Sequence, residues 1–259
     1  MDQGRRKVLR GLSAVGLGGS AIPAVATADF RMAYFETYSP LSFVDHGALR
    51  GILVEVLGAV LEKRLHVHCQ HDGFPWPRAQ RLVEMGDRDA ICTIATPERL
   101  AYTEAVAEPV VSMPTCIFVR ANTPRAEAFS RARNLNELLA MKPSVVSYSA
   151  NGWAKNKLKD FDIVTGGDFN SSVKMLIAGR GDMMIENVLV MSYILARTEG
   201  GDSVHALPNR MDQAEFQLLI GKQSPFVQRR ADISRALQQF KATPAYAEVY
   251  KRYGVPLMG

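Results

Sequence analysis

Several classes of protein are excluded by what this chain has little of. Its 259 residues include only three cysteines, Cys69, Cys92 and Cys116, too few for a disulfide scaffold. Each lies in an apolar or alternating stretch, so we expect three free thiols. Beyond residue 28 no apolar run approaches the roughly 18 residues that cross a bilayer, and no cysteine near residue 29 could carry a lipid. We therefore expect a soluble protein once residues 1–28 are removed.

The chain also has only a small excess of positive charge. The formal net charge of +5 falls to +2 when Asp2 and the four basic residues of the segment 5–10 are left out. No basic stripe interleaved with aromatic residues is present, so we expect no nucleic-acid partner. The sequence also lacks a glycine-rich phosphate loop, a Gly-x-Ser-x-Gly turn and a catalytic triad. We therefore expect neither a cofactor nor an enzyme.

The first 28 residues have the composition of an export signal. Gly4–Arg10 approximates the twin-arginine motif, an apolar stretch follows from Leu12 to Val25, and Ala26-Thr27-Ala28 is a small-residue cleavage site. The twin-arginine and general secretory routes both fit this segment. We expect a mature chain that begins at Asp29.

Strand and helix patterns alternate along the rest of the chain. Strands are predicted at Phe30–Tyr34, Leu65–Cys69, Asp89–Ala95, Ser144–Tyr148, Met183–Ile185 and Phe216–Lys222. Helices are predicted between them, for example at Ile52–Leu61 and Arg78–Met85. This alternation predicts an α/β protein with mainly parallel sheets flanked by helices. Crossings near 115–120 and 212–217 suggest two lobes joined by a two-strand hinge, which suits closure around a ligand.

An arginine follows the predicted strand in the stretch Asp89–Arg99 (DAICTIATPER). Thr96, Pro97 and Glu98 form the turn that starts a helix. Because ligands of open α/β sheets bind outside the carboxyl ends of strands, Arg99 is positioned to meet a ligand there. A guanidinium presents a planar set of donors that matches a carboxylate. We therefore predict that Arg99 binds a carboxylate.

Four motifs occur in an order that resembles the bacterial extracellular solute-binding proteins of family 3. They are Tyr38-Ser39-Pro40-Leu41-Ser42-Phe43, the helix start Gly51–Val56, the run from Trp76 through Arg99 to Pro109, and Leu176–Asp182 followed by Glu186. The resemblance implies a two-lobed type 2 periplasmic-binding fold, with 29–117 and 215–259 in one lobe and 118–214 in the other. It also implies a periplasmic, monomeric receptor that delivers an amino acid or related carboxylate to an ABC permease.

The same resemblance implies further ligand contacts. Glu186 occupies the position of an acidic residue that pairs with the ligand's ammonium group, where family members commonly have Asp. Asn151, in the turn 149–153, could add amide donors for the carboxylate or simply cap the following helix. The aromatic walls predicted for the pocket are Tyr38 and Trp76. Thr93, between Cys92 and Ile94, is the hydroxyl nearest to the family's usual hydroxyl contacts, and Arg78 is a second cation.

Two other interpretations remain open. The same fold could serve a lyase or dehydratase, with Glu186 as a general acid or base, or a receptor for a membrane signalling partner.

His66, His68, His71 and Cys69 are residue types that bind metal ions and lie close together in the sequence. On a regular strand the four side chains point to two faces, so we expect no metal there.

Overall fold

The computed structural model describes residues 29–149, 151–255 and 257, and the predicted export signal lies outside these residues. The strands are β1 (Phe30–Phe35), β2 (Thr37–Tyr38), β3 (Ser42–Asp45), β4 (Ala48–Arg50), β5 (Cys69–Phe74), β6 (Ala90–Thr93), β7 (Thr103–Ala105), β8 (Val111–Arg120), β9 (Ser144–Tyr148), β10 (Asp162–Gly166), β11 (Met183–Asn187) and β12 (Val204–Gly221).

The helices connect these strands. They are α1 (Ile52–Gly58), α2 (Trp76–Glu84), α3 (Pro97–Leu100), α4 (Ala126–Ser130), α5 (Leu135–Ala140), α6 (Gly152–Lys157), α7 (Phe169–Ile177), α8 (Val188–Leu195), α9 (Arg230–Lys241) and α10 (Pro244–Arg252). A π-helical segment, Ala59–Arg64, prolongs α1, and short 3-10 turns cover Gly201–Ser203 and Pro225–Arg229. None of the helices described is long and apolar enough to cross a membrane.

The main sheet has the strand order β10-β9-β11-β8-β12-β6-β1-β5, with β7 beside β12. The strands β1, β5 and β6 are parallel, as are β9, β10 and β11. Between these two groups, β8 and β12 are antiparallel and pair from Val204 to Phe216, and β12 then pairs with β6. We call the group β1, β5, β6 and β7 with its helices lobe 1, and the group β9, β10 and β11 with its helices lobe 2. This architecture confirms the predicted α/β class.

Each lobe buries apolar side chains on both faces of its strands, as a parallel sheet requires. In lobe 1, Phe30 and Met32 join the large cluster beneath α1, α9 and α10, while Ala33 packs against α2 on the opposite face. Two further clusters enclose β9 and β11 in lobe 2. The cysteines contribute to these cores as free thiols, with Cys92 and Cys116 buried and Cys69 half-buried.

The structure corrects the predicted position of the second strand. The expected strand was Leu65–Cys69, but β5 begins at Cys69 and ends at Phe74. The π-helical segment extends to Arg64, and His66 has a φ of 52°, so the backbone is still turning there. Because β5 is an edge strand that contains Gln70 and Asp72, its apolar pattern is weak.

Two segments rich in proline or polar residues form helices. Trp76, between Pro75 and Pro77, is the first residue of α2. Proline fits the first helical turn because the N–H that it lacks has no intrahelical partner there. The polar stretch 120–137 holds α4 and part of α5, and these two helices bury Phe129 and Leu138.

Gly51 fixes the start of α1 against the segment that carries Tyr38. It has a φ of 134°, and a Cβ there would lie 2.3 Å from the carbonyl oxygen of Leu41. Only glycine adopts this conformation at such a close approach. The N–H of Leu53 then donates to the same Leu41 carbonyl at 3.0 Å. This close packing holds Tyr38 near the carboxyl end of β1.

Candidate functional site

The candidate site lies where the parallel strands of both lobes end. The last residues of β1, β6, β9 and β11 are Phe35, Thr93, Tyr148 and Asn187. Ligands of open α/β sheets bind outside these carboxyl ends. The residues at the ends of four strands therefore define where a ligand would meet the protein.

Arg99 lies in α3, three residues beyond the N-cap residue Thr96. Its Nη1 donates to the carbonyl oxygen of Ile94 at 2.8 Å, and its Nε donates to Oε1 of Gln80 at 3.0 Å. The guanidinium also stacks on the Trp76 ring, 5.1 Å from the centroid. Burial lowers the pKa of Arg99 from its usual value. All of these partners are uncharged, and no carboxylate in the described ranges forms an ion pair with Arg99.

The arginine lies at one end of a row of aromatic rings. Trp76 packs on Phe35 with ring centroids 5.9 Å apart, and Phe35 stacks on Tyr38 at the same distance. Tyr38 in turn stacks on Phe216 of β12 at 6.2 Å. Four aromatic side chains of lobe 1 thus form a continuous row from Arg99 to β12. The structure brings the predicted residues Arg99, Trp76 and Tyr38 together through Phe35.

Glu186 is the penultimate residue of β11 and is 7% exposed. Its Oε1 accepts hydrogen bonds from the backbone N–H of Asn187 at 2.8 Å and from Nδ2 of Asn187 at 2.9 Å. Burial raises the pKa of Glu186 to about 7, although donors from Asn187 and the Tyr148 hydroxyl oppose this rise. No basic side chain of the described chain forms an ion pair with Glu186. The carboxyl group is thus satisfied by neutral donors.

One hydrogen bond joins the two lobes at this point. Nδ2 of Asn187 in lobe 2 donates to the hydroxyl of Tyr38 in lobe 1 at 3.0 Å. The hydroxyl of Tyr148 faces both the Tyr38 hydroxyl and the Glu186 carboxyl group. Nearby, the rings of Phe43 and Tyr193 meet across the cleft with centroids 6.3 Å apart. These two contacts connect lobe 1 and lobe 2 in the structure.

Three other predicted residues are not part of this chain of contacts. Thr93 ends β6 and is buried, and its hydroxyl forms no hydrogen bond with the residues described. Arg78 is exposed and stacks on Phe74, 5.4 Å from the ring centroid, rather than on Trp76. Asn151 accepts a hydrogen bond from the N–H of Ala154 at 2.9 Å and so caps α6. The structure therefore shows the capping contact, and the ligand role of Asn151 stays a prediction.

Several residues that contact the predicted ones were not predicted from the sequence. Phe35, Tyr148 and Asn187 are each the last residue of a parallel strand, so the strand-end rule that identified Arg99 could have found them. Gln80 carried no such signal, because its contact with Arg99 depends on how α2 and α3 pack.

Two other features lie outside the cleft. One group of possible metal ligands occurs among the described His, Cys, Asp and Glu residues. It consists of Glu62, Cys69 and His71, whose ligand atoms lie within 4.8 Å of one another. A surface groove of about 690 Å³ lies between α7 and α8, and Lys174, Arg197 and Glu199 are among the residues that line it. The groove contains neither Arg99 nor Glu186 and is on the outer side of lobe 2. The strand-end residues therefore remain the candidate binding site.

Comparison with known proteins places the whole described chain in one group. The profile of the Bacterial extracellular solute-binding proteins, family 3, matches residues 30–256. No curated protein matches the sequence. A solved histidine kinase sensor domain with similarity to periplasmic binding proteins is 16% identical, with a TM-score of 0.68, and the match covers 89% of this chain and 98% of that one.

Two solved binding proteins are similar to the same degree. The arginine-, lysine-, histidine-binding protein ArtJ from Geobacillus stearothermophilus is 17% identical with a TM-score of 0.66, and the match covers 88% of this chain and 96% of that one. The ancestral amino acid-binding protein AncCDT-1, a precursor of cyclohexadienyl dehydratase, is 20% identical with a TM-score of 0.65, and the match covers 87% and 94% of the two chains. At these identities the likeness describes the fold alone.

Proposed function

Since the chain belongs to the bacterial extracellular solute-binding proteins of family 3, we propose that it is a receptor for a small amino-acid-like carboxylate. The ligand binds between the two lobes, at the ends of β1, β6, β9 and β11. ArtJ and AncCDT-1, which bind amino acids, support this ligand class. The observation that carries the proposal is the half-buried guanidinium of Arg99 without a carboxylate partner.

The contacts of Arg99 leave part of its donor set free for a ligand. A guanidinium has five N–H donors, and the described bonds to Ile94 and Gln80 use one on Nη1 and one on Nε. Elsewhere in lobe 1, the half-buried Arg88 has an acidic partner, Asp72, at 3.0 Å. A carboxylate that accepts two parallel bonds from Arg99 would supply the missing charge. The Trp76 ring keeps the guanidinium in its orientation.

The surroundings of Tyr38 suit a cationic group. Glu186 is buried without a cation, and an ammonium group that replaces the Asn187 amide at its carboxylate would compensate the negative charge. Tyr38 and Phe35 lie near these two groups and would contact the remainder of the ligand. An amino acid or a related zwitterion carries both of the charges that Arg99 and Glu186 would bind.

Closure of the lobes is the proposed response to the ligand. The proposed lobe boundaries, 29–117 and 215–259 against 118–214, place the hinge in β8 and β12, which pair along their length. Opening would break the bond between Tyr38 and Asn187 and separate Phe43 from Tyr193. Closure excludes water, which strengthens the ion pairs.

The proposal also covers the location and the partner of the protein. Residues 1–28 direct its export, and it acts as a monomer in the periplasm. Its partner is an ABC permease; the alternative, supported by the likeness to a histidine kinase sensor domain, is a membrane signalling protein.

A second candidate is an enzyme on the same fold. The observation that favours it is the buried Glu186 beside the Tyr148 hydroxyl, with a pKa raised to about 7 by burial. A group with a pKa near neutrality is suited to general acid or base catalysis. AncCDT-1, a precursor of a dehydratase, has the same fold. In this candidate Glu186 would transfer a proton to or from a bound cyclic carboxylate.

The decisive experiment is a binding screen with matched ligands. Native mass spectrometry of the protein from its own periplasm identifies a copurified solute, and calorimetry then compares each amino acid with its decarboxylated amine and its desamino acid. We expect the amino acid to bind, the amine not to bind and the desamino acid to bind more weakly. Equal binding of the amine would refute the role of Arg99. Product formation during incubation, followed by mass spectrometry, would favour the enzyme over the receptor.

A further inference from the structure

Three side chains of lobe 1 converge on one point at the edge of the sheet. They are Glu62 of the π-helical segment and Cys69 and His71 of β5, and their ligand atoms all lie within 4.8 Å of one another. From this cluster we propose a binding site for a thiophilic divalent transition-metal ion such as Zn²⁺, held by the Cys69 thiolate, His71 Nε2 and the Glu62 carboxylate. The site is independent of the proposed function, since it lies at the amino end of β5, away from the cleft.

The backbone explains why these residues meet. Cys69 and His71 are two residues apart on β5, so their side chains point to the same face of the sheet. That face packs against the segment Ala59–Arg64, whose π-helical turn presents Glu62 to the strand. Turns of this kind are frequent at functional sites. His66 and His68 precede β5, and His68 is bound instead to Asp29 at 2.7 Å.

The distances agree with tetrahedral coordination. His71 Nε2 lies 3.6 Å from Oε1 of Glu62. Two ligand atoms bound at about 2.1 Å to one tetrahedral ion lie roughly 3.4 Å apart, so this pair needs almost no movement. Cys69 is half-buried beside them, and its Sγ now donates weakly to the Val67 carbonyl at 3.4 Å. Metal binding replaces the thiol proton, which passes to solvent, by a bond from sulfur to the ion.

The hydrogen bond on the other side of the His71 ring supports this assignment. Nδ1 of His71 lies 2.9 Å from the buried hydroxyl of Tyr34. With Nδ1–H donating to Tyr34, Nε2 presents its lone pair to the ion, which is the usual arrangement around metal-binding histidines. The neighbouring acids are engaged elsewhere, because Asp72 pairs with Arg88 and Asp29 pairs with His68. Sulfur, imidazole and a single carboxylate together favour Zn²⁺ over Mg²⁺ or Ca²⁺.

The test is a metal titration of the purified protein without a polyhistidine tag. After treatment with a chelator and buffer exchange, calorimetry with Zn²⁺ should show one ion per chain. Tyr34→Phe removes the hydroxyl that orients the His71 ring and should weaken binding by about 10- to 100-fold, the usual effect of losing a hydrogen-bond partner of a metal ligand. Cys69→Ser and His71→Gln remove a metal ligand itself, so each should weaken binding by at least about 10-fold. His68→Gln is the matched control because it removes an exposed histidine one residue before β5, and its affinity should match that of the parent.

A second readout keeps the proposal open to refutation if a variant folds poorly. Co²⁺ bound by a thiolate gives a sulfur-to-metal charge-transfer band, which should be present in the parent and in Cys92→Ser but missing in Cys69→Ser. Glu62→Gln changes an exposed side chain, so it should keep the circular dichroism of the parent while losing affinity. Absence of stoichiometric Zn²⁺ binding, or equal binding by Cys69→Ser, would overturn the proposal. Loss of binding in His68→Gln would instead indicate an adventitious surface site.

Discussion

Lobe 1 and lobe 2 place opposite charges at the cleft and stabilise them in different ways. In lobe 1, Arg99 is held by a carbonyl, an amide oxygen and an aromatic ring. These groups orient the guanidinium but leave its charge uncompensated. In lobe 2, Glu186 accepts hydrogen bonds from Asn187 and is nearly inaccessible to solvent. The cation is therefore permanent, whereas the charge of the carboxyl group depends on pH.

This difference assigns different tasks to the two lobes. A guanidinium stays charged at every physiological pH, so lobe 1 can bind an anion in the open state as well. Burial raises the pKa of Glu186 to about 7, so near neutral pH lobe 2 offers a mixture of charged and uncharged carboxyl groups. We infer that lobe 1 supplies most of the affinity and that lobe 2 adjusts selectivity during closure.

The largest effect is expected for Arg99→Gln. Removing one member of a buried charge pair costs about 2–5 kcal/mol, so affinity for the carboxylate ligand should fall by about 30-fold to several thousand-fold. Isothermal calorimetry measures this loss. Arg78→Gln is the matched control, because Arg78 is also an arginine of lobe 1 on an aromatic ring but is exposed. An equal loss in both variants would remove the distinction between the two arginines.

The second prediction concerns stability without ligand. The pKa of Glu186 is about 7 in the folded protein and 4.5 in its usual state, so protonation favours the folded form. Its stabilising contribution is complete below pH 4.5 and is lost as pH rises through 7. With about 1.4 kcal/mol for each pH unit, the loss is about 3 kcal/mol. Chemical denaturation at several pH values should show this decline in the parent relative to Glu186→Gln. A pH-independent difference between the two proteins would contradict it.

The third prediction concerns the ligand's ammonium group. Ionised Glu186 binds the ammonium, so affinity for an amino acid should rise as pH increases toward 7 and level off above it. Glu186→Gln should remove this pH dependence and weaken binding at pH 8 by about 1.5–3 kcal/mol, typical of a hydrogen bond to a charged group. Binding of the matched desamino acid should change little. Glu215→Gln, which alters an exposed carboxylate on β12, provides the control.

The strand-end rule selected the residues of the candidate site but not their contacts. Arg99 and Glu186 follow apolar runs that are easily recognised: Glu186 lies near the end of β11, and Arg99 lies in α3, the helix that follows β6. The contacts that decide their charge state come from residues distant in sequence. Gln80 of α2 contacts Arg99 of α3, and Asn187 of lobe 2 contacts Tyr38 of lobe 1. Linear spacing contains no information about closure or about helix packing.

The weakest local pattern produced the largest errors. β5 carries polar residues on an edge, so its start was placed four residues too early, at Leu65 rather than Cys69. The period-two alternation of a strand nevertheless predicts that Cys69 and His71 share a face, and both lie on β5. Glu62 was missed because an α-helical period does not describe a π-helical turn. Irregular segments of this kind bring together residues that periodicity treats as unrelated.

The smallest effect is expected at the contact between the lobes. Tyr38→Phe keeps the stack on Phe35 but removes the hydroxyl that accepts from Asn187. A neutral hydrogen bond contributes about 0.5–1.5 kcal/mol, so the closed form should lose roughly 2- to 12-fold in population. Small-angle scattering without ligand should show a larger radius of gyration, and affinity should fall by a similar factor. Tyr193→Phe is the control, because Tyr193 meets Phe43 through its ring and its hydroxyl has no hydrogen bond within the described residues. If neither variant opens relative to the parent, ring contacts rather than the Tyr38 bond hold the lobes together.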